Sequence, residues 1–430
     1  MKKLALALIT LAAASSQAVD LKSVFEQAVA NDPQLAAELA GARADGQSQA
    51  LAGVRVLPTV VIFAEQGTTT NEIGSNETDT DKTVYGIKVT QPLVAPSAWY
   101  EYGAAMAASD SAGIELIKAE QSLVVRVSEA YFNVLRANAG LASAKANESA
   151  VKRQLEQTQQ RFKVGLIAIT DVHEAQAIYD NATVDLITAE TKLDIAYESL
   201  AVLTGERYDR INPLKESIPL LGPVPRDRNH WEQKALSQNL DVIIARNDEV
   251  SAQRNHKSKV AAYLPTINLV ASQTTIDEDD GSAAAAEVSS SYVGLEMSMA
   301  LYAGGSQWAG HKQAYYQRQA AEKGLEAAQR NASLSVRSLF RTLEADVARI
   351  KARKQAMKSA TSAMEATQTG YEVGTRNIVE VLQAQQAVFA TQQNYAFSRY
   401  DYVIDMLKFR QAVGELSMGD IAEVNGWLQN

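Results

Sequence analysis

Nine prolines punctuate this 430-residue chain, and none lies between positions 97 and 212 or after 265. Proline removes a backbone donor and clashes with the preceding turn, so its absence leaves two very long stretches free to run as helix. The pattern predicts helices over 97–163 and 306–372, each followed by a short turn and a second helix, at 171–204 and 378–413. A helix of about 67 residues is about 100 Å long at 1.5 Å per residue, which no ordinary globular core requires. Runs such as Ala137–Gln160 and Ala320–Ala348 place small apolar residues at helical spacing, which suits close packing in a coiled coil.

The two stretches belong to a duplication, with the second half repeating the first at an offset of 207 to 209 residues. Leu57-Pro58-Thr59-Val60 matches Leu264-Pro265-Thr266-Ile267, and Ala95-Pro96-Ser97-Ala98-Trp99 answers Ala303-Gly304-Gly305-Ser306-Gln307-Trp308 with one insertion. Arg161-Phe162-Lys163-Val164-Gly165 answers Gly370-Tyr371-Glu372-Val373-Gly374, and Ile169-Thr170-Asp171-Val172 answers Ile378-Val379-Glu380-Val381. Matches in constant order exclude chance, and the period is too long for a solenoid unit. The first repeat spans 19–220, with a helix at 20–55 and a strand pair at 57–66 and 83–94 ahead of its long helix. The second spans 221–430, with a helix at 230–262 and strands at 264–275 and 289–303. Pro213, Pro219, Pro223 and Pro225 cluster at the junction.

Residues 1–18 read as a secretory signal peptide: Lys2 and Lys3, an apolar core from Leu4 to Ala14, and a small-x-small site at Ser16-Gln17-Ala18. The chain has no cysteine, so a secreted form carries neither a disulfide nor a lipidated thiol. No later apolar run is long enough for a membrane helix. The net charge of −9 argues against nucleic acid as a partner.

The strands alternate. Tyr85, Ile87, Val89 and Leu93 interleave with polar or small residues, as do Val293, Leu295, Met297, Met299 and Leu301. Period-two alternation marks a strand with one apolar and one polar face. Strands of about ten residues suit a tilted bilayer crossing. The intervening segments, Gly67–Asp81 and Ile276–Val288, are polar, acidic and expected to be loops. Four strands cannot close a barrel, and an open edge cannot sit in lipid, so a membrane barrel requires a dimer of eight strands or a trimer of twelve.

Tyr131-Phe132-Asn133-Val134-Leu135, Arg161–Leu166 with Ile169–Val172, and Gly370–Arg376 with Ile378-Val379 together resemble the TolC-type outer-membrane efflux proteins. The resemblance covers nearly the whole chain after the signal segment. It implies a mainly α fold with membrane β: a homotrimeric α/β-barrel duct. A twelve-stranded outer-membrane β-barrel, four strands per subunit, is continued by a long α-helical coiled-coil periplasmic tunnel. An equatorial belt would use residues near 205–230 and the segment after about Ala412. The implied role is passive export in tripartite efflux, extending to type I secretion. Cargo would be drugs, bile salts, dyes or proteins. The partners would be a periplasmic adaptor (membrane fusion) protein, an inner-membrane pump of RND, ABC or MFS type, and outer-membrane lipid. The place would be the outer membrane of a Gram-negative bacterium, extending into the periplasm. No catalytic residue, metal or cofactor is expected.

The turns Val164-Gly165-Leu166 and Val373-Gly374-Thr375 have glycine where a helix C-terminus needs a left-handed residue. By resemblance they are also the tips where the adaptor docks. Resemblance further implies that Tyr371 and Arg376 tie one helix pair to Asp171 and Gln154 on the other, closing a periplasmic gate. By the same resemblance the lumen constriction would fall at Glu380 and Gln383, where the family pattern has two aspartates, so one acidic ring would be retained and one neutral. Glu380 has a second, local reading: Asn377-Ile378-Val379-Glu380 forms a capping box. A poreless coiled-coil spacer is the alternative, but it has no need for alternating strands. An enzyme is the weakest reading, since His173, His230, His256 and His311 are scattered and no nucleophile or nucleotide motif occurs.

Overall fold

The computed structural model describes residues 18–73, 76–279 and 286–429. The expected signal peptide therefore lies almost wholly outside the described residues. The elements in chain order are α1 (Leu21–Asn31), α2 (Pro33–Val54), β1 (Thr59–Ile73), β2 (Asn76–Val94), α3 (Pro96–Lys163), α4 (Ile169–Thr204) and α5 (Arg228–Gln238). Then come α6 (Leu240–Ala261), β3 (Thr266–Asp279), β4 (Ala286–Ser298), α7 (Ser306–Glu372), α8 (Ile378–Val413) and α9 (Met418–Asn425).

Two expected helices are each broken in two. The residue before a proline is driven out of the helical region, and Asp32 before Pro33 is extended, with ψ of 113°. Its carboxylate accepts from the Leu35 N–H at 3.1 Å and so caps α2. The matching break falls at Asn239, 207 residues on, where no proline follows. There the backbone turns at ψ 129°, and the side-chain amide donates to the Ala412 carbonyl at 2.8 Å.

The strands are longer than the sequence suggested. Most of the expected loop Gly67–Asp81 is laddered, with Thr68 opposite Asp81 and Thr70 opposite Asp79. The threonines are β-branched and their hydroxyls donate across the ladder to those carboxylates, at 2.5 and 2.7 Å. Ile276–Glu278 likewise pairs with Ala286–Val288, while β4 stops at Ser298 rather than 303. The positions between the strands of each hairpin, 74–75 and 280–285, lie outside the described residues. All neighbours are antiparallel in the order β1-β2-β3-β4.

The chain packs as two compact units that cut across the sequence repeats. One comprises Met1–Glu38 (described from Ala18), Ile117–Asn239 and Asn331–Asn430. The other comprises Leu39–Leu116 and Leu240–Arg330, and contains the sheet.

The first unit holds the large core. Phe132 and Tyr131 of α3 are fully buried there with Leu123, Leu200 and Leu407. The Tyr131 hydroxyl lies within reach of two carbonyls, Val19 at 3.1 Å and Asn212 at 2.8 Å. Short bridges join Val19 to Ile211 and Leu214 to Leu428, so the junction segment and the C-terminal segment pack together. In the second unit α3 and α6 are stitched by polar contacts: the Ser251 hydroxyl donates to the Ala104 carbonyl at 3.0 Å, and Arg254 to the Gly103 carbonyl at 2.5 Å.

One carboxylate in the first unit is out of place energetically. Asp346 of α7 is 1% exposed, next to Asp405 and Asp401 of α8, with Arg349 Nη1 3.1 Å from Oδ1. Burial first, and then the charge of Asp405, push its pKa up to about 6; Asp405 is raised as well, chiefly by burial. A carboxyl raised above its unfolded value of 3.8 takes up a proton on folding. Stability therefore falls as pH climbs from about 4 through 6. Asp346→Asn is expected to flatten that slope, leaving the smaller share due to Asp405, and to stabilise the protein at pH 7.5 by on the order of 2 kcal/mol, read from chemical unfolding across pH.

Candidate functional site

The sheet is the first functional surface. Register places Val60, Ile62, Tyr85, Ile87, Val89, Leu269, Val293, Leu295 and Met297 on one face, and Glu65, Lys88, Thr90, Ser272, Thr274 and Glu296 on the other. The apolar face is uncovered: Ile62 is 81% exposed, Val293 74% and Met297 70%. Among the described residues nothing else in the subunit packs on it as a core, and a soluble protein would not leave so wide an apolar patch in water.

The position of the apolar block along the strands carries further information. On β1 and β2 it centres on Ile62 and Ile87, which are direct partners. On β3 and β4 it centres on Leu269 and Leu295, also partners, but Leu269 is level with Gln91 of β2 rather than with Ile87. The block thus drifts about four residues, or about 13 Å, over three strand spacings of about 4.8 Å each. A level apolar slab crosses such a sheet only if the strands are tilted by about 40°, which is the tilt of membrane barrels. The outer strands β1 and β4 each leave one edge unpaired. No described helix is long and apolar enough to span a membrane.

The second candidate surface is the pair of helix tips. Each turn closes the same way, with a glycine at positive φ, 77° at Gly165 and 80° at Gly374. At the first, Leu166 N–H donates to the Arg161 carbonyl at 2.9 Å and Gly165 N–H to Phe162 at 2.9 Å. At the second, Thr375 N–H donates to Gly370 at 2.8 Å and Gly374 N–H to Tyr371 at 3.0 Å. Both are Schellman closures, in which an L side chain at the glycine is strained. The tips expose apolar side chains: Val164 is 71% exposed, Leu166 70% and Val373 69%.

Behind the tips, Val151, Ile378, Val381 and Leu382 form a small core with Tyr371 packed against it. The Tyr371 ring carries the Arg161 guanidinium 5.0 Å from its centroid, a contact the sequence reading missed. Gln154 is buried, and its amide nitrogen has no partner among the described residues. Among the described residues of one subunit, the expected ties between Tyr371 or Arg376 and Asp171 or Gln154 are not formed. Arg376 pairs instead with Glu380 at 2.5 Å, one turn further along the chain, while among the described residues the Asp171 carboxylate accepts from the adjacent Thr170 hydroxyl at 3.5 Å. The i,i+4 spacing of Arg376 and Glu380 was legible in the sequence and explains the difference, because the nearest carboxylate takes the guanidinium.

Glu380 also closes the capping box with Asn377: its backbone N–H donates to Asn377 Oδ1 at 2.9 Å, and its carboxylate accepts from the Asn377 N–H at 3.5 Å. The Arg376 hydrogen bond is the main reason its carboxyl is held below the usual range. Gln383 is exposed one turn on. Metal-ligand groupings are absent among the described residues.

The family model described as outer membrane efflux protein matches residues 24–206 and again 231–415, once in each repeat. The outer membrane protein TolC of Vibrio cholerae is 35% identical over 417 residues, covering 96% of this chain and 94% of that protein. The alkaline protease secretion protein AprF of Pseudomonas aeruginosa is 26% identical, covering 94% of this chain and 86% of its own. Among solved structures, the CmeC outer membrane channel of Campylobacter jejuni shares the fold with a TM-score of 0.80 at 14% identity, covering 95% of this chain and 90% of that one. Two matched repeats, an exposed tilted apolar band and whole-length similarity converge: the chain belongs to the outer membrane efflux protein family.

Proposed function

We propose that three copies of this subunit form one passive export duct, opened from its helix tips by inner-membrane partners. The observation that carries this reading is the oblique apolar band on a sheet with two unpaired edges. Twelve strands from three copies close those edges and present one level band to the outer-membrane lipid.

The uncovered Val164, Leu166 and Val373 at the glycine turns suit an apolar docking partner, a periplasmic adaptor that links the duct to a pump of RND, ABC or MFS type. Efflux cargo of small toxic compounds follows the family. Similarity to AprF, a protein named for protease secretion, supports protein export as well.

The closed end is held by weak, repeated contacts. Arg376 uses part of its fork on Glu380, and the exposed remainder would be free to bond Asp171 of a neighbouring copy. The buried, unpartnered amide of Gln154 and the Tyr371 hydroxyl complete the set. Exposed pairs of this kind are worth about 0–1 kcal/mol each, so a partner can open what threefold repetition keeps shut. Three Glu380 carboxylates then give a cation-preferring constriction, with Gln383 neutral beside it.

Two measurements test the reading. In planar bilayers Arg376→Ser with Tyr371→Phe should raise single-channel conductance severalfold, and unchanged conductance would remove these residues from the gate. On the sheet, Val293→Arg should destabilise the folded form in lipid vesicles by about 2–4 kcal/mol. Lys88→Ala on the opposite face should cost well under half of that, both scored as the folded fraction against denaturant.

A further inference from the structure

The net charge of −9 is unevenly spread, and beside the sheet its sign reverses. The last eight residues of α6 contain Arg254, His256, Lys257 and Lys259 and no carboxylate. The first thirteen residues of α7 contain His311, Lys312 and Arg318 and again no carboxylate. At the start of α3 the one acid is Glu101, and it is already engaged by Arg55 and, at 3.4 Å, by Lys259.

Three side chains of this basic zone form a stripe on α7. Trp308, Lys312 and Tyr316 recur every four residues, so they share one helix face. Trp308 is 60% and Tyr316 61% exposed, and Lys312 Nζ stands 4.1 Å from the Trp308 ring centroid. Among the described residues Lys312 has no carboxylate at ion-pair distance. The other side of the helix is occupied: Ala314 is buried, and His311 stacks on His256 of α6 with ring centroids 5.0 Å apart. The stripe starts where the apolar strand face ends. Val293, Leu295 and Met297 lead through Leu301 and Tyr302, 86% and 84% exposed, into the first turn of α7.

We propose that Trp308, Lys312 and Tyr316 form a docking site for the anionic headgroup of a phospholipid in the leaflet at the helix-bearing end of the barrel. The site rests on the membrane reading of the sheet, with which it is continuous. Tryptophan and tyrosine prefer the headgroup level, where their rings meet acyl chain and their polar atoms meet water. A lysine there keeps its stem against the ring and its ammonium at the phosphate. The charge is complementary: an acidic protein gathers a surplus of cations beside the sheet, and Lys312 among them has no carboxylate partner among the described residues, so it can add to binding at an anionic surface.

The test uses the extracted oligomer reconstituted into nanodiscs of equal phosphatidylglycerol and phosphatidylcholine, with retained lipids counted by native mass spectrometry. The wild type should retain phosphatidylglycerol preferentially, and Lys312→Gln should reduce that preference about five-fold. Lys312→Arg should keep it. Lys323→Gln, a change at a lysine already paired with Glu326 further along the helix, should leave it untouched. An equal retention of both lipids by the wild type, or an unchanged ratio in Lys312→Gln, would overturn the site. Failure of the wild type to enter bilayers at all would overturn the membrane reading, and the site with it.

Discussion

Unpaired backbone in lipid is the constraint on which the rest of this subunit depends. Each strand edge carries a row of N–H and C=O groups, and hydrocarbon offers them no partner. β1 and β4 each have one such edge. A single copy therefore cannot live in a membrane, and association is a condition of insertion. The drift of the apolar band sets the tilt, and the tilt sets how neighbouring copies must meet.

The duplication satisfies this constraint economically. Each repeat supplies one hairpin, and the β2–β3 pairing joins the two into a continuous sheet. Each repeat also supplies one long and one short helix closed by the same glycine turn, so the two tips are built alike. The copies then diverged in how one equivalent carboxylate is engaged. Asp171 caps nothing through a reciprocal box, whereas Glu380 at the equivalent place is engaged by both Asn377 and Arg376. A carboxylate held by both a cap and an arginine can change partners at little cost, which suits the movable end proposed for this duct.

Much of the architecture was legible because its determinants are local. Proline-free stretches and glycine stops mark α7 and α8 to the residue, and period-two alternation marks the strand faces. The break at Asp32 was visible in Pro33, but its twin at Asn239 has no such signal; it depends on the Ala412 carbonyl, far away in sequence. The strand ends were missed because threonine–aspartate pairs read as loop composition until the ladder sets them opposite one another. The site residues were only half legible. The capping box is a pattern of neighbours, but the Arg161–Tyr371 contact and the burial of Asp346 arise from packing between helices that no local pattern encodes.

The most direct test of the central claim is to trap the edge contact covalently. The chain has no cysteine, so introduced pairs are the only ones that can form. One cysteine at Val60 on β1 would be combined in turn with one at Val293, Leu295 or Met297 on β4, and membranes oxidised before non-reducing electrophoresis. Three subunits in a closed barrel give, for the pair in register, a ladder that ends at a covalent trimer. A ladder that ends at dimer, or no cross-link for any pair in a protein that still inserts, would contradict a twelve-stranded barrel.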